Sequence, residues 1–579
     1  MTNITRHLRQ IEKKTPPFLR NVHRPDLTRG HIDPRFRPPK RQITTGLNPY
    51  SGPWTDAERL HLLKRCLFGV SIEDLRHFQS MTMEQMIDAL LQTNPNPPPP
   101  INDYNDDDFK DPEIPYGQTW INSNYGFILN LPQNIQAEIF VRRFYSFKFW
   151  WIRQIIDSPR TIHEKLTFFW HNHFAVQLSN ILVGILGYQY YMTLRNHALG
   201  HFPTLVRAIT LDPAMLIYLN GAENVKDQPD ENYARELQEL FTIGKGPDSG
   251  YTEHDVRQAA RILTGWTLNL DNRGKIISTF VPYNHDTGDK QFSAFYNHQR
   301  IAGQWDGTRE LDALIEMLTS HPTSARFLCR ELYRFFVFPI ITKETEQLVI
   351  QPLAELYRRE GYQIRPVLRA LLSSEHFFDP LNRGAMVKNP LEHLMSLWRG
   401  ANMAFPTDST IAERAVWSQL LYYGGIITGL EIGDPPSVAG WPAYYLAPQY
   451  DLTWITTSTV KNRTFVTDYL MFVGFEDSKG NTAIYADWLA FTQSLTDADD
   501  PNALIQQASQ LFLGQPLTDD QHQSLKKILL SGQKNDNYWT AAWLHYLQNP
   551  DDPTARQIVL NRLIPFFRTL LHMAEAYLC

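Results

Sequence analysis

The sequence predicts a mainly α fold, a large multi-helical and bundle-like body, on three observations. Apolar residues recur at helical spacing in segment after segment between residues 54 and 372. Short connections rich in Gly, Pro or Asn separate those segments, and strand-like alternation is rare. No period of 20–50 residues repeats, which argues against a solenoid. The chain has 579 residues, 43% hydrophobic and 20% charged. That is apolar material for one large core or several joined ones, and it excludes a disordered or collagen-like chain.

The elements follow in order. Residues 1–50 are basic and Pro-rich, as in Arg35-Phe-Arg-Pro-Pro-Lys-Arg41, and read as an extended arm. The first firm helix runs from Trp54 to Gly69. Thr55 caps it, Glu58 sits three residues on, and Leu60, Leu63 and Leu67 form its apolar stripe. A short helix follows at Met83–Leu91, and the run Asn94-Pro-Asn-Pro-Pro-Pro-Pro100 then opens a Pro-rich break over 94–118. Asp106–Asp108 lack the spacing of an EF-hand loop and read as a solvated cluster. Helices are expected at Ala137–Asp157, His163–Phe174, Gln189–Ala198, Phe202–Thr210, Pro213–Leu219, Asn232–Phe241 and Glu253–Thr264.

Residues 269–303, rich in Asn, Asp, Gly and Phe, read as a β-hairpin or a long irregular loop. Helical spacing returns at Leu311–Leu318, Ser324–Phe335, Glu344–Glu360 and Arg365–Leu372. Helices mix with aromatic loops over 380–470, and a helical tail holds Asn502–Phe512, Thr518–Leu530 and Arg556–Leu578. We therefore divide the chain into an arm (1–50), a main helical domain (51–470) and a C-terminal helical region packed on it (471–579).

Several functions are disfavoured at this level. A net charge of −6 does not point to nucleic acid. Cys66, Cys329 and Cys579 are far apart, which excludes a disulfide scaffold and a Cys-based zinc motif. No apolar run follows Met1 as a secretory leader requires, so the chain reads as cytoplasmic as it stands. No transmembrane segment is expected, since Ile181–Gly187 is far short of the roughly 20 residues a span needs. The phosphate-loop, dinucleotide, nucleophile-elbow and HExxH signatures are absent.

Four constellations could carry chemistry. In the first, Trp170-His-Asn-His-Phe174, His171 and His173 could meet one metal ion if the helix ended between them, because i and i+2 diverge by about 200° in a regular helix. Two core histidines bonded to backbone are the plainer alternative. In the second, Asn232, Arg235, Glu236 and Glu239 form one polar stripe, facing either water or a site. In the third, Gly250–Trp266, Thr252 and Asp255 approach a capping box, Ala259 and Ala260 favour close helix packing, and Arg261 could pair with Glu236 or Glu239. The fourth is Asn284-His-Asp-Thr-Gly-Asp-Lys290 inside the irregular loop, with His285 and Asp286 as acid/base candidates.

Together these motifs resemble the bacterial family catalogued as domain of unknown function eighteen hundred. The resemblance spans about 50–470 through Trp170–Phe174, Asn196-His-Ala-Leu-Gly200, Asp212-Pro-Ala-Met-Leu216, Glu231–Glu236, Tyr251–Trp266, His285–Lys290 and Asp434-Pro-Pro-Ser-Val-Ala-Gly-Trp-Pro442. Asp230 stands where the family usually has Asn. Membership implies frequent export and a partner protein resembling alkaline phosphatases and sulfatases, but no reaction. It also singles out the polar hallmarks as a shared site.

On that basis the leading expectation is a metal-dependent enzyme, a hydrolase, acting on a small-molecule or polymer substrate. His171, His173 and Glu236 would bind a divalent ion, zinc or iron, with Glu239, His285, Asp286, Arg235 and Arg261 as catalytic groups. The alternatives are a non-haem iron oxidase or oxygenase, a cofactor-free acid/base enzyme using Glu236, Glu239 and His285, and a non-catalytic scaffold. The scaffold would bind a protein or carbohydrate through Trp441, Tyr444, Tyr445 and Trp454.

Overall fold

The computed structural model describes residues 43–246 and 248–579, so most of the basic arm assigned to 1–50 lies outside the described residues. Helices dominate, joined by three two-stranded antiparallel sheets. The first helix, α1 (Asp56–Cys66), starts as its sequence dictates, with a reciprocal capping box between Thr55 and Glu58. The Pro-rich segment then crosses the surface in extended form, and α2 (Gln133–Ile156) and α3 (His163–His173) follow. Every residue of α3 is buried, which makes it the central element of the molecule. Next come α4 (Gly184–His197), α5 (Glu231–Glu236) and α6 (Glu253–Ile262).

Two expected helices contain a wider turn. A π-helical segment, Leu237–Thr242, continues α5, and a second one, Glu346–Ile350, lies within the helix expected at 344–360. One extra residue per turn is accommodated there. The loop expected at 269–303 contains two hairpins. Trp266–Leu270 pairs with Ile276–Phe280, Trp266 opposite Phe280, around a turn in which the Asp271 carboxylate accepts the Arg273 and Lys275 N–H groups. Lys290–Gln291 pairs with Arg300–Ile301.

Beyond the hairpins stand α7 (Gly307–Ser320), α8 (Pro390–Gly400), α9 (Ile411–Thr428) and the C-terminal helices, including Asn537–Gln548. Apolar side chains from Leu60 to Ala576 join one contiguous buried cluster. Trp441 and Trp454 belong to it at 1% exposure, which corrects the expectation of a binding surface there. Tyr444 is partly buried and Tyr445 is exposed. No described helix is long and apolar enough to cross a membrane.

Gly440 fixes the approach of the Asp434–Pro442 loop to α3. Its φ is +85°, and a Cβ there would lie 2.3 Å from Asn172 Oδ1 and 2.6 Å from the Asn172 carbonyl oxygen. Both the backbone conformation and the space demand glycine. Gly440→Ala should therefore lower unfolding stability by about 2–4 kcal/mol, read from urea denaturation at unchanged m-value.

Candidate functional site

The Trp170–Phe174 motif lies in a buried network. Four consecutive residues at the end of α3 tie down three segments, α4 with its end, the π turn and the loop before Pro442. Trp170 Nε1 donates to the Ala198 carbonyl at 2.9 Å. His171 Nδ1 and the Tyr190 hydroxyl are 2.9 Å apart, and that hydroxyl donates to the Phe174 carbonyl at 2.8 Å. The Asn172 side chain accepts the Trp441 N–H at 2.9 Å. His173 Nε2 donates to the Phe241 carbonyl, at the end of the π turn, at 2.9 Å.

Because the segment is regular helix through His173, the two imidazoles point in different directions. Among the described residues no three His, Cys, Asp or Glu side chains are grouped to hold a metal ion. His171, His173 and Glu236 therefore do not assemble into the expected ligand set. His171 Nε2 is buried without a partner but faces aromatic rings, Trp151 at 4.9 Å and Trp441 at 5.4 Å between centroids. A single orphan nitrogen among rings does not make a metal site, so the side chains present do not fit the ion.

The polar stripe after Asp230 lies at the surface, with Asn232 exposed and Arg235, Glu236 and Glu239 half-buried. Arg235 clamps Glu253 through two bonds of 2.7 Å and reaches Glu231 at 3.0 Å. Glu239 pairs with Lys245. Burial raises the Glu236 carboxyl above its usual range, against Lys245 and Arg235. Arg261 forks onto Asp286 at 2.7 and 2.9 Å, rather than onto Glu236 or Glu239. Burial pushes Asp286 up, but the Arg261 fork and the Gly288 N–H outweigh it and hold it below the ordinary range.

His285 is buried beside them. Its Nδ1 lies 2.9 Å from the Thr264 carbonyl and its Nε2 lies 3.1 Å from Glu310, which also pairs with the buried Lys290. The structure thus brings Arg261, His285 and Asp286 together with Lys290 of the same motif, and with Glu310, which the sequence did not single out. They form a closed set of mutual partners.

An open site lies elsewhere. A cavity of about 650 Å³ runs beneath the proline strap, lined by Asn94, the prolines at 95 and 97–99, the end of α2 (Trp150, Arg153, Asp157), Glu164, Arg195 and Arg414. The strap is pinned by Trp150 Nε1 to the Pro98 carbonyl at 2.8 Å and by the Asn94 N–H to His163 Nδ1 at 3.0 Å. Two cation–carboxylate pairs line the cavity, Arg153–Asp103 at 3.0 Å and Arg195–Glu164 at 2.7 Å. Glu164 also accepts the Tyr191 hydroxyl at 2.8 Å.

Asp157 is accessible in the cavity and has no ion-pair partner among the described residues. Burial by the surrounding protein raises its carboxyl above the usual range, against Arg153, Arg414 and Arg399. It is also the C-cap residue of α2, where the helix dipole disfavours a negative charge. Arg414 bonds Ser409 Oγ at 2.8 Å and the Pro406 and Thr407 carbonyls, and has no carboxylate partner among the described residues. Sequence reading missed this cleft because its residues come from separate segments. The one available signal was the proline run beside a Trp- and Arg-rich helix end.

A model of the family described as Protein of unknown function (DUF1800) matches residues 61–560. The chain belongs to this family. Among the curated proteins and the solved structures, none matches it.

The buried imidazoles make stability pH-dependent. Burial, helped by the Lys148 ammonium, pulls His171 down to about 3, and burial pulls His173 to about 4. In the unfolded chain both titrate near 6.5, so protons bind that state first on acidification. Their stabilisation is complete above about pH 6.5 and is lost as the pH falls toward 4. At pH 5 the loss is about 2 kcal/mol per imidazole. Urea midpoints at pH 7 and pH 5 should show this decline, to which the buried His61, His163 and His393 add in the same direction, and His171→Gln should remove the share of one imidazole.

Proposed function

We propose that the chain is an acid/base enzyme whose substrate binds under the proline strap, and that the substrate is rich in hydroxyls and carries an anionic group. The observation that supports this is the unpaired couple in the cleft, Asp157 and Arg414, among pairs that already neutralise one another. The Arg414 guanidinium carries a charge that no carboxylate among the described residues neutralises, and its Nη1, with Nε and Nη2 engaged by Ser409, Pro406 and Thr407, can donate to a substrate carboxylate, sulfate or phosphate. A carboxyl lifted by burial and by the helix end keeps its proton nearer to neutral pH and can donate it to a leaving oxygen. Glu164, in the first turn of α3, is also raised by burial, against the Arg195 guanidinium and the Tyr191 hydroxyl that bond it, and it shapes the floor.

The planar polar groups, with the apolar proline rings and Trp150, suit an acidic saccharide, and the cavity volume suits a ligand of a few rings. Hydrolysis is the reaction class served by one proton donor facing an oxygen-rich substrate. No step is routed through a metal ion, since the residues expected to hold one are not grouped.

Calorimetric titration with galacturonate oligomers, followed by a reducing-end assay, tests the reading. Arg414→Ala should weaken binding about ten-fold, equivalent to about 1.4 kcal/mol. Asp157→Asn should retain binding and lose turnover by about a hundred-fold or more. Equal binding by wild type and Arg414→Ala would count against the cleft as the substrate site.

A further inference from the structure

Of the tryptophans, Trp305 is the one exposed among the described residues, at 65%, and Tyr283 is the most exposed large aromatic, at 72%. Both rings stand on one small region. A Cβ at Gly307 would lie 3.1 Å from His285 Cε1, so the two segments touch there, and each exposed ring is two residues from that contact. The region is rigid beneath them. His285 bonds Thr264 and Glu310, the Lys226 N–H donates to the Asn284 carbonyl at 2.8 Å, and the Val281 N–H to the Gly265 carbonyl at 2.8 Å.

Leaving two large rings in water on a well-anchored loop forgoes burial that the other tryptophans obtain. The rings also sit in polar surroundings. Within four positions of either there is no other exposed large apolar side chain, while Asp306 and Arg309 are exposed. The Lys226 ammonium lies 4.2 Å from the centre of the Tyr283 ring and occupies one of its faces.

We infer that Tyr283 and Trp305 form a stacking platform for the sugar rings of a polysaccharide. A protein partner would call for a contiguous apolar patch with a packed centre. A pyranose ring offers an apolar C–H face for an aromatic ring and a rim of hydroxyls for the charged side chains around it. The platform rests on residues separate from those of the cleft, so either reading can fail alone.

Sedimentation of the whole protein with insoluble cellulose, chitin and xylan tests the inference. The wild type is expected to be retained on at least one polymer. Tyr283→Ala or Trp305→Ala should reduce retention five-fold or more, the double variant should abolish it, and Trp305→Phe should restore part of it. Thermal midpoints should stay unchanged because both rings are exposed, and Asp157→Asn should be retained like wild type. Retention on none of the polymers, or equal retention of the double variant, would overturn the platform. So would self-association of the wild type that the double variant abolishes, which would make the two rings a protein interface.

Discussion

Four consecutive hydrogen bonds from the last turn of α3 hold the centre of this molecule. A helix turns 100° per residue, so Trp170, His171, Asn172 and His173 point in four directions, the first two meeting the end and the middle of α4, the others the Asp434–Pro442 loop and the π turn. Each bond is made inside the core, where an unmade partner would cost more than the bond contributes. The turn therefore specifies one arrangement of its neighbours, the end of α4, the π turn and the Asp434–Pro442 loop among them. The second of these contacts also explains the π segment, because His173 takes a carbonyl, Phe241, that lies within it.

Charged groups extend the same logic outward. Lys148 is fully buried and meets both Glu431 and Asp434. Burial pulls its ammonium down, yet the two carboxylates together hold it above its ordinary value. Asp434 in turn accepts the Ser179 N–H at 2.7 Å, so the loop bearing Gly440 is anchored at both ends to the α2–α3 region. Such buried pairs add little net stability against apolar packing, but removing one partner leaves an isolated charge. They select the arrangement more than they strengthen it.

The helices were legible because their caps and stripes are local. Thr55/Glu58 and Thr252/Asp255 form the boxes their spacing predicts, and Ala259 and Ala260 pack at full burial. The helix Asn537–Gln548 escaped because Tyr538, Trp539, Trp543 and Leu544 spread apolar side chains around it, blurring the stripe. The polar residues singled out as one shared site fall into separate sets, and their partners were not legible. Spacing alone could not show that His285 would find Glu310, or that Arg261 would choose Asp286 over Glu236. The i, i+2 histidine spacing held the answer in its 200° divergence, which suits two separate anchors better than one ion. The cleft was illegible for a different reason, since Asn94, Asp157, Arg195 and Arg414 share no local pattern.

Helix ends give the cleft its chemical asymmetry. Asp157 closes α2 and Glu164 opens α3, so one carboxyl faces the negative end of a helix and the other the positive end. Burial raises both, but Glu164 has Arg195 and Tyr191 to stabilise its charge, whereas Asp157 has only more distant guanidinium groups. Two carboxyls in one cavity thereby sit at opposite helix ends with different partners, one ion-paired and one, among the described residues, not. The short turn between α2 and α3 sets that difference, and the same turn places α3 for its four anchoring bonds. Fold and cleft therefore depend on one another through the seven residues from Asp157 to His163.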